Sequence, residues 1–246
     1  MRSNISFNML QYRCITVFPE NRFDIYKALC YDTTGVRNMA YVEEGAAGKK
    51  FVCSNEKPNI FLIGDSIRGG YCAEVKSRLA DYAEVFYLND NCRSTQFVIF
   101  SLNAWGNLFD CREKVNLVLF NCGHWDIAHW LGSEESLTGK EEYKKNLRMI
   151  TALLRKIFVN AKLVFATTTP MNPSGVVGVN PRTSKEIDAY NCLAAEVFAD
   201  LGVDVLDLNG FCRDWDSTFY RDYCHFTEAG YARLADEIVS RIRGYL

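Results

Sequence analysis

From residue 58 onward, apolar runs of strand length alternate with segments of helical period. Residues 59–63 (NIFLI) form a short apolar run that stops at Gly64, which reads as a buried strand. Residues 71–82 then place Val75, Leu79 and Tyr82 at helical spacing. Residues 83–88 read as a second short strand, and 95–109 as a helix with a bulky apolar face. The run Val115–Phe120 (VNLVLF) is apolar almost throughout, as expected for a central strand of a parallel sheet. The clearest helix is 141–158, where Leu147, Ile150, Leu153, Leu154 and Ile157 make one stripe. A strand at 162–167, a helix at Ser184–Leu201 stopped by Gly202, and a strand at 203–208 follow. Thr227 can cap a last helix whose inner face carries Tyr231, Leu234, Ile238 and Ile242.

Strands alternating with helices predict an α/β fold, a parallel sheet with helices on both faces. Right-handed crossovers make it a three-layer α/β/α sandwich. In such sheets ligands bind outside the carboxyl ends of the strands. Residues 1–57 break the alternation: short β-like pieces at 13–18, 39–42 and 50–53 lie among polar turns. They are read as a small N-terminal β-rich extension, with the α/β domain spanning 58–246.

Composition narrows the function. Lys plus Arg number 28 against 30 Asp plus Glu, a net charge of −2 with no basic stripe, which argues against nucleic acid as a partner. No apolar run approaches a membrane span, and the first residues lack the apolar core of a signal peptide, so the chain reads as cytoplasmic with no membrane partner. The ten cysteines are scattered without a CxxC pair. The one loose cluster, Cys122, His124 and His129, lacks the paired spacing of a zinc site, so no metal is expected. Neither GxGxxG nor GxxxxGK[ST] occurs, and no cofactor is implied.

Two segments carry chemistry. In FLIGDSIRGGY (61–71) a buried strand ends at Gly64, and Ser66 follows just before a helix. A serine there projects from the carboxyl edge of the sheet, and its N–H lies near a helix N-terminus, which favours developing negative charge. In DYCHFTEAGY (222–231), Asp222 and His225 are three residues apart before the last helix. Asp222 can accept from His225 Nδ1 and leave Nε2 as the base that a serine hydroxyl requires. Taken singly, either segment reads equally well as a turn or a cap.

Together, Gly64-Asp65-Ser66 and Asp222-x-x-His225-Phe-Thr-x-x-Gly resemble the first and fifth blocks of the SGNH/GDSL hydrolases, in particular bacterial GDSL-like serine esterases. The resemblance covers residues 58–246. It implies a Ser–His–Asp triad of Ser66, His225 and Asp222 on a flavodoxin-like sandwich, without a metal. It also implies an oxyanion hole of the Ser66 N–H, a second-block backbone N–H and a third-block Asn. The third block departs from the family pattern: Asn121-Cys122-Gly123-His124-Trp125-Asp126 stands where Gly-x-Asn-Asp is usual. Asn121 is the candidate donor, or else it only stabilises the turn, and Gly123 is placed at the substrate. The second block, Asn89 to Ser94, has no Gly, which leaves the donor near Arg93. Arg68 and Arg93 are expected in crevice loops, where they hold an acidic or polyhydroxylated substrate or are ordinary surface arginines. The aromatics Tyr71, Trp125, Trp130 and Phe226 line the crevice or fill the core.

The resemblance points to hydrolysis of acyl esters, acetyl esters of a carbohydrate foremost. The alternatives are a non-catalytic glycan-binding relative on the same fold, or a thioesterase or lysophospholipase. A wide Ser66–His225 separation would mark the first, and a long apolar tunnel the second.

Overall fold

Five apolar runs pair into one parallel sheet: β1 (Asn59–Ile63), β2 (Glu84–Tyr87), β3 (Val115–Phe120), β4 (Lys162–Ala166) and β5 (Asp204–Leu206), in the order β2-β1-β3-β4-β5. Phe61 stands beside Phe86 on one side and Val118 on the other, and Leu119 stands beside Val164. This is the flavodoxin-like order, whose switch point opens a crevice between β1 and β3. The computed structural model describes residues 51–246. The expected N-terminal extension thus lies outside the described residues as far as residue 50. Of its last residues, Phe51 bridges to Phe109 and packs its ring on Phe61, Phe86 and Phe109.

Strand residues alternate between two cores because successive side chains point to opposite faces. Phe61, Ile63, Val118, Phe120 and Phe165 meet α2 (Thr95–Gly106), α4 (Lys140–Ile157) and α5 (Ser184–Leu201). Ile60, Leu62, Leu117, Leu119 and Val164 meet α1 (Ser66–Arg78) and α7 (Glu228–Tyr245). The expected inner face of the last helix, Tyr231, Leu234, Ile238 and Ile242, is buried there. Two short helices, α3 (His124–Ile127) and α6 (Leu208–Cys212), interrupt the loops. Each is too short to show a period in the sequence. The α5 limits match expectation because both ends are signalled chemically. Thr183 and Glu186 form a capping box, and Gly202 ends the helix with φ +60°.

The first helix differs from expectation. It begins at Ser66, five residues before the apolar period at 71–82 sets in, because Asp65 Oδ1 caps the Ile67 N–H at 2.9 Å. Gly69 and Gly70 disfavour a helix, but Gly70 is required by packing: a Cβ there would lie 2.1 Å from the Tyr231 ring. Gly70 lets α1 and α7 approach closely, whereas a Cβ on Gly69 would meet nothing within 4 Å. Among the described residues no helix is long and apolar enough to cross a membrane.

Candidate active site

Ser66 leaves the carboxyl end of β1 as the first residue of α1. The first N–H groups of a helix have no partner within it. Asp65 takes that of Ile67, and the Ser66 N–H stands first in the helix. Across the sheet, residues 220–226 fold back on themselves: Tyr220 pairs antiparallel with Phe226, and the Arg221 N–H donates to the His225 carbonyl at 2.8 Å. Phe226 anchors this turn among Trp215, Tyr220 and Tyr231. The turn brings Asp222 and His225 together.

The three side chains form one line. Ser66 Oγ lies 2.7 Å from His225 Nε2. His225 Nδ1 lies 3.0 and 2.8 Å from the two Asp222 carboxylate oxygens. A carboxylate only accepts, so Nδ1 carries the hydrogen and Nε2 is left to accept from the serine. Asp222 Oδ1 also receives the N–H groups of Cys224 and His225, at 3.0 and 2.8 Å. Burial would raise the Asp222 carboxyl, but these donors and the imidazole outweigh it and hold the group below its ordinary range. The arrangement can transfer the serine proton to Nε2 and hold the resulting imidazolium against a fixed carboxylate.

The other expected residues fall differently. Arg68 sits within α1, not in a loop, and is 2% exposed. Its guanidinium donates to the carbonyls of Gly64 (3.2 Å), Leu88 (2.6 Å) and Asp90. It therefore ties the β2–α2 loop to the end of β1 and has no face left for substrate. Arg93 adopts φ +50°, the left-handed region that suits the glycine usual in the second block. Its N–H donates to Asn91 Oδ1 at 2.9 Å, which corrects its expected role as a ready donor. Its guanidinium stacks over Phe97, 4.3 Å from the centroid.

Asn121 lies beside Gly64, but one amide hydrogen already donates to the Ala166 carbonyl at 2.9 Å. Gly123 is buried, which corrects its expected place at the substrate. A Cβ there would fall 1.9 Å from Thr168 Oγ1, so the glycine serves close approach of the loop that follows β4. Tyr71 and Phe226 are buried in the core, whereas Trp125 and Trp130 pair at 5.4 Å near the surface. Cys122, His124 and His129 do not converge: His129 faces Glu186 at 2.7 Å, and the Tyr143 hydroxyl donates to the Cys122 carbonyl.

One residue that the motifs did not mark, Arg182, supports the site. Arg182 donates from Nε to His124 Nδ1 (3.1 Å), from Nη1 to the Asn180 carbonyl (3.2 Å), and from Nη2 to Cys224 Sγ (3.5 Å). Because Nδ1 accepts, His124 Nε2 carries the hydrogen and donates to Thr169 Oγ1 at 3.2 Å. Arg182 thus couples the third block to the turn holding the dyad. No local signal betrays this, since an arginine after proline in a polar loop looks like any surface arginine. Asp65 is fully buried, with no partner for Oδ2 among the described residues. Burial pushes its carboxyl up, against the Ile67 N–H and the charges of Arg182, His225 and Arg68.

Asp222, Cys224 and His225 place three metal-ligand atoms within 4.8 Å of one another. Burial pushes the Cys224 thiol up to about 12, and Arg182 faces its sulfur, so the trio presents a protonated thiol and a cation to any incoming ion. The eight cysteines among the described residues are all free.

His124 gives the fold a pH dependence. Burial, with Arg182 and His225 nearby, holds its imidazole well below 6.5. The unfolded chain binds a proton there below about pH 6.5 that the folded chain refuses, so stability falls as pH drops through that range, by up to about 1.4 kcal/mol per unit. Asp126 acts oppositely: burial raises it to about 6 in spite of the Thr95 donors, so the folded state takes its proton first. The His124 contribution is isolated by a variant. Urea midpoints at pH 7.5 and 5.5 should drop further apart in wild type than in His124→Asn. Equal drops would mean that His124 is protonated when folded.

The fold and the site define a three-layer α/β protein with a serine hydroxyl held on an imidazole–carboxylate pair at the crevice. Residues 62–233 match the GDSL-like lipase/acylhydrolase family, so the chain belongs to that family and is an ester hydrolase. No curated protein matches the chain. Among solved structures it is similar to the acetyl xylan esterase AlAXEase, at 16% identity and a TM-score of 0.59, covering 75% of this chain and 99% of that one. It is similar to a lipase/acylhydrolase from Enterococcus faecalis at 24% identity and a TM-score of 0.60, covering 76% and 96%. It is also similar to Est24, a carbohydrate acetylesterase from Sinorhizobium meliloti, at 12% identity and a TM-score of 0.59, covering 77% and 100%. At these identities the likeness speaks for the fold.

Proposed function

We propose that the protein is a serine esterase that removes small acyl groups, acetyl foremost, from a carbohydrate hydroxyl, with Ser66, His225 and Asp222 as its triad. The observation that carries this reading is the 2.7 Å contact of Ser66 Oγ with His225 Nε2, backed by Asp222 on Nδ1. So short a separation supports catalysis over a glycan-binding relative. The similarity to an acetyl xylan esterase and a carbohydrate acetylesterase supports the choice of acyl and alcohol.

His225 takes the Ser66 proton as Oγ bonds to the acyl carbon, and the carbonyl electrons move onto its oxygen. The Ser66 N–H, at the N-terminus of a 13-residue helix, faces that oxyanion. The second amide hydrogen of Asn121 adds a donor from the end of β3. His225 then gives its proton to the leaving alcohol oxygen as the C–O bond breaks, and the acyl group stays on Ser66. Water, activated by the same imidazole, restores the serine and releases the acid.

A fluorophosphonate probe tests the nucleophile directly. Ser66 Oγ of wild type should displace fluoride from the probe's phosphorus, so that the peptide containing Ser66 gains one phosphonyl group, with loss of esterase activity in step. Labelling at another serine, or activity that survives full labelling of Ser66, would sink the assignment.

A further inference from the structure

The carboxyl edge of the sheet carries a strip of apolar side chains that the core does not use. Trp130, Leu131, Val176, Val177 and Val179 are all exposed, Leu131 and Val177 by 76% and 74%. They belong to two loops fastened to each other: the Leu131 N–H donates to Asn180 Oδ1 at 2.9 Å, and the His129 N–H donates to the Pro181 carbonyl at 2.9 Å. The valine loop is fastened in turn to the catalytic turn. Asn172 donates from its backbone to the Tyr223 carbonyl and from Nδ2 to the Asp222 carbonyl, both at 2.9 Å. Gly178, between Val177 and Val179, lies so close to the Tyr223 ring that a Cβ would come within 2.8 Å of it. The Tyr223 ring is 6.0 Å from the His225 imidazole. Tyr223 thus links the valine loop to the turn that carries His225. Leu131 holds φ +53°, unfavourable for a leucine, and still points into solvent.

The chemistry says which part of a substrate meets this strip. His225 must hand its proton to the leaving oxygen, so the alcohol part of the ester departs on the His225 side of Ser66. The acyl oxygen turns the other way, toward the Ser66 N–H. We infer that the strip receives an alkyl or aryl group carried by the leaving alcohol, so that the substrate is an amphiphile: a small acyl ester whose alcohol bears an apolar body. The inference rests on the esterase reading above and adds the side on which apolar recognition occurs. A sugar hydroxyl with an alkyl or aryl aglycone satisfies both.

The test compares ethyl acetate, hexyl acetate and ethyl hexanoate, the last two being isomers with the chain on opposite sides of the ester. Wild type should hydrolyse hexyl acetate with kcat/KM about tenfold above both others, as expected for partial burial of four added methylenes. The double variant Leu131→Asn/Val177→Ser, both positions being exposed, should lose that preference and keep the ethyl acetate rate. Equal rates on the two acetates, a preference for ethyl hexanoate, a preference that survives the double variant, or hydrolysis of 4-nitrophenyl acetate without hydrolysis of hexyl acetate would each overturn the inference while leaving the esterase reading intact. Hydrolysis of any ester that persists in Ser66→Ala would instead overturn the esterase reading itself.

Discussion

Replacing Ser66 with alanine should lower kcat toward 4-nitrophenyl acetate by about 10⁴- to 10⁶-fold, with KM within about threefold of wild type. The size follows from what is lost. The 2.7 Å contact to His225 Nε2 exists to remove one proton, and without Oγ there is neither a proton to remove nor an atom to acylate. The helix N-terminus and its N–H remain, so a residual acceleration over water is expected. In the proposed mechanism the three side chains act as a unit, so His225→Ala should cost about as much, and the double variant little more than either. Ser66 is half-buried and its side chain supports no packing, so the melting temperature should stay within about 1 °C. Additive losses in the double variant would show that the two side chains work separately.

Replacing Arg68 with methionine should cost the fold about 3–5 kcal/mol, which for a chain of this size lowers the melting temperature by roughly 10 °C. The guanidinium is fully buried and supplies hydrogens to three backbone carbonyls, those of Gly64, Leu88 and Asp90. Methionine fills much of the volume but donates nothing, so the Leu88 and Asp90 carbonyls lose the guanidinium in a site with little water, and the Gly64 carbonyl keeps only the Cys92 N–H. The same ties hold the β2–α2 loop, with Arg93, against the nucleophile strand. Esterase activity should therefore fall with stability even though Arg68 faces no substrate. Arg68→Lys should fall between, since one ammonium cannot span three carbonyls set around a planar fork. Thermal unfolding followed by circular dichroism measures this, and a melting temperature within 2 °C of wild type would mean that water replaces the guanidinium.

The sequence carried the sheet well because its strands are buried on both faces. VNLVLF at 115–120 and NIFLI at 59–63 have no reading but buried strand or buried helix, and their lengths decide. Helices with chemical ends, such as the one between Thr183 and Gly202, were legible to the residue. The start of α1 was not, because the Gly69-Gly70 pair argues against helix locally while the reason for it, the Tyr231 ring, lies more than 150 residues away. Arg68 was misplaced for the same reason: the carbonyls that bury it belong to another strand and loop. Ser66, Asp222 and His225 stood out because each sits in a short motif at an element boundary. His124 was legible as a histidine but not as Arg182's partner, since 58 residues separate the two.

Ser66 and His225 are 159 residues apart along the chain, and the helices that carry or follow them, α1 and α7, pack side by side. During synthesis the nucleophile thus emerges long before its base. In the proposed mechanism the serine stays an unactivated alcohol until the last helix docks. Turnover in this enzyme consequently reports that folding has finished, which makes a simple colour assay a direct readout of refolding yield.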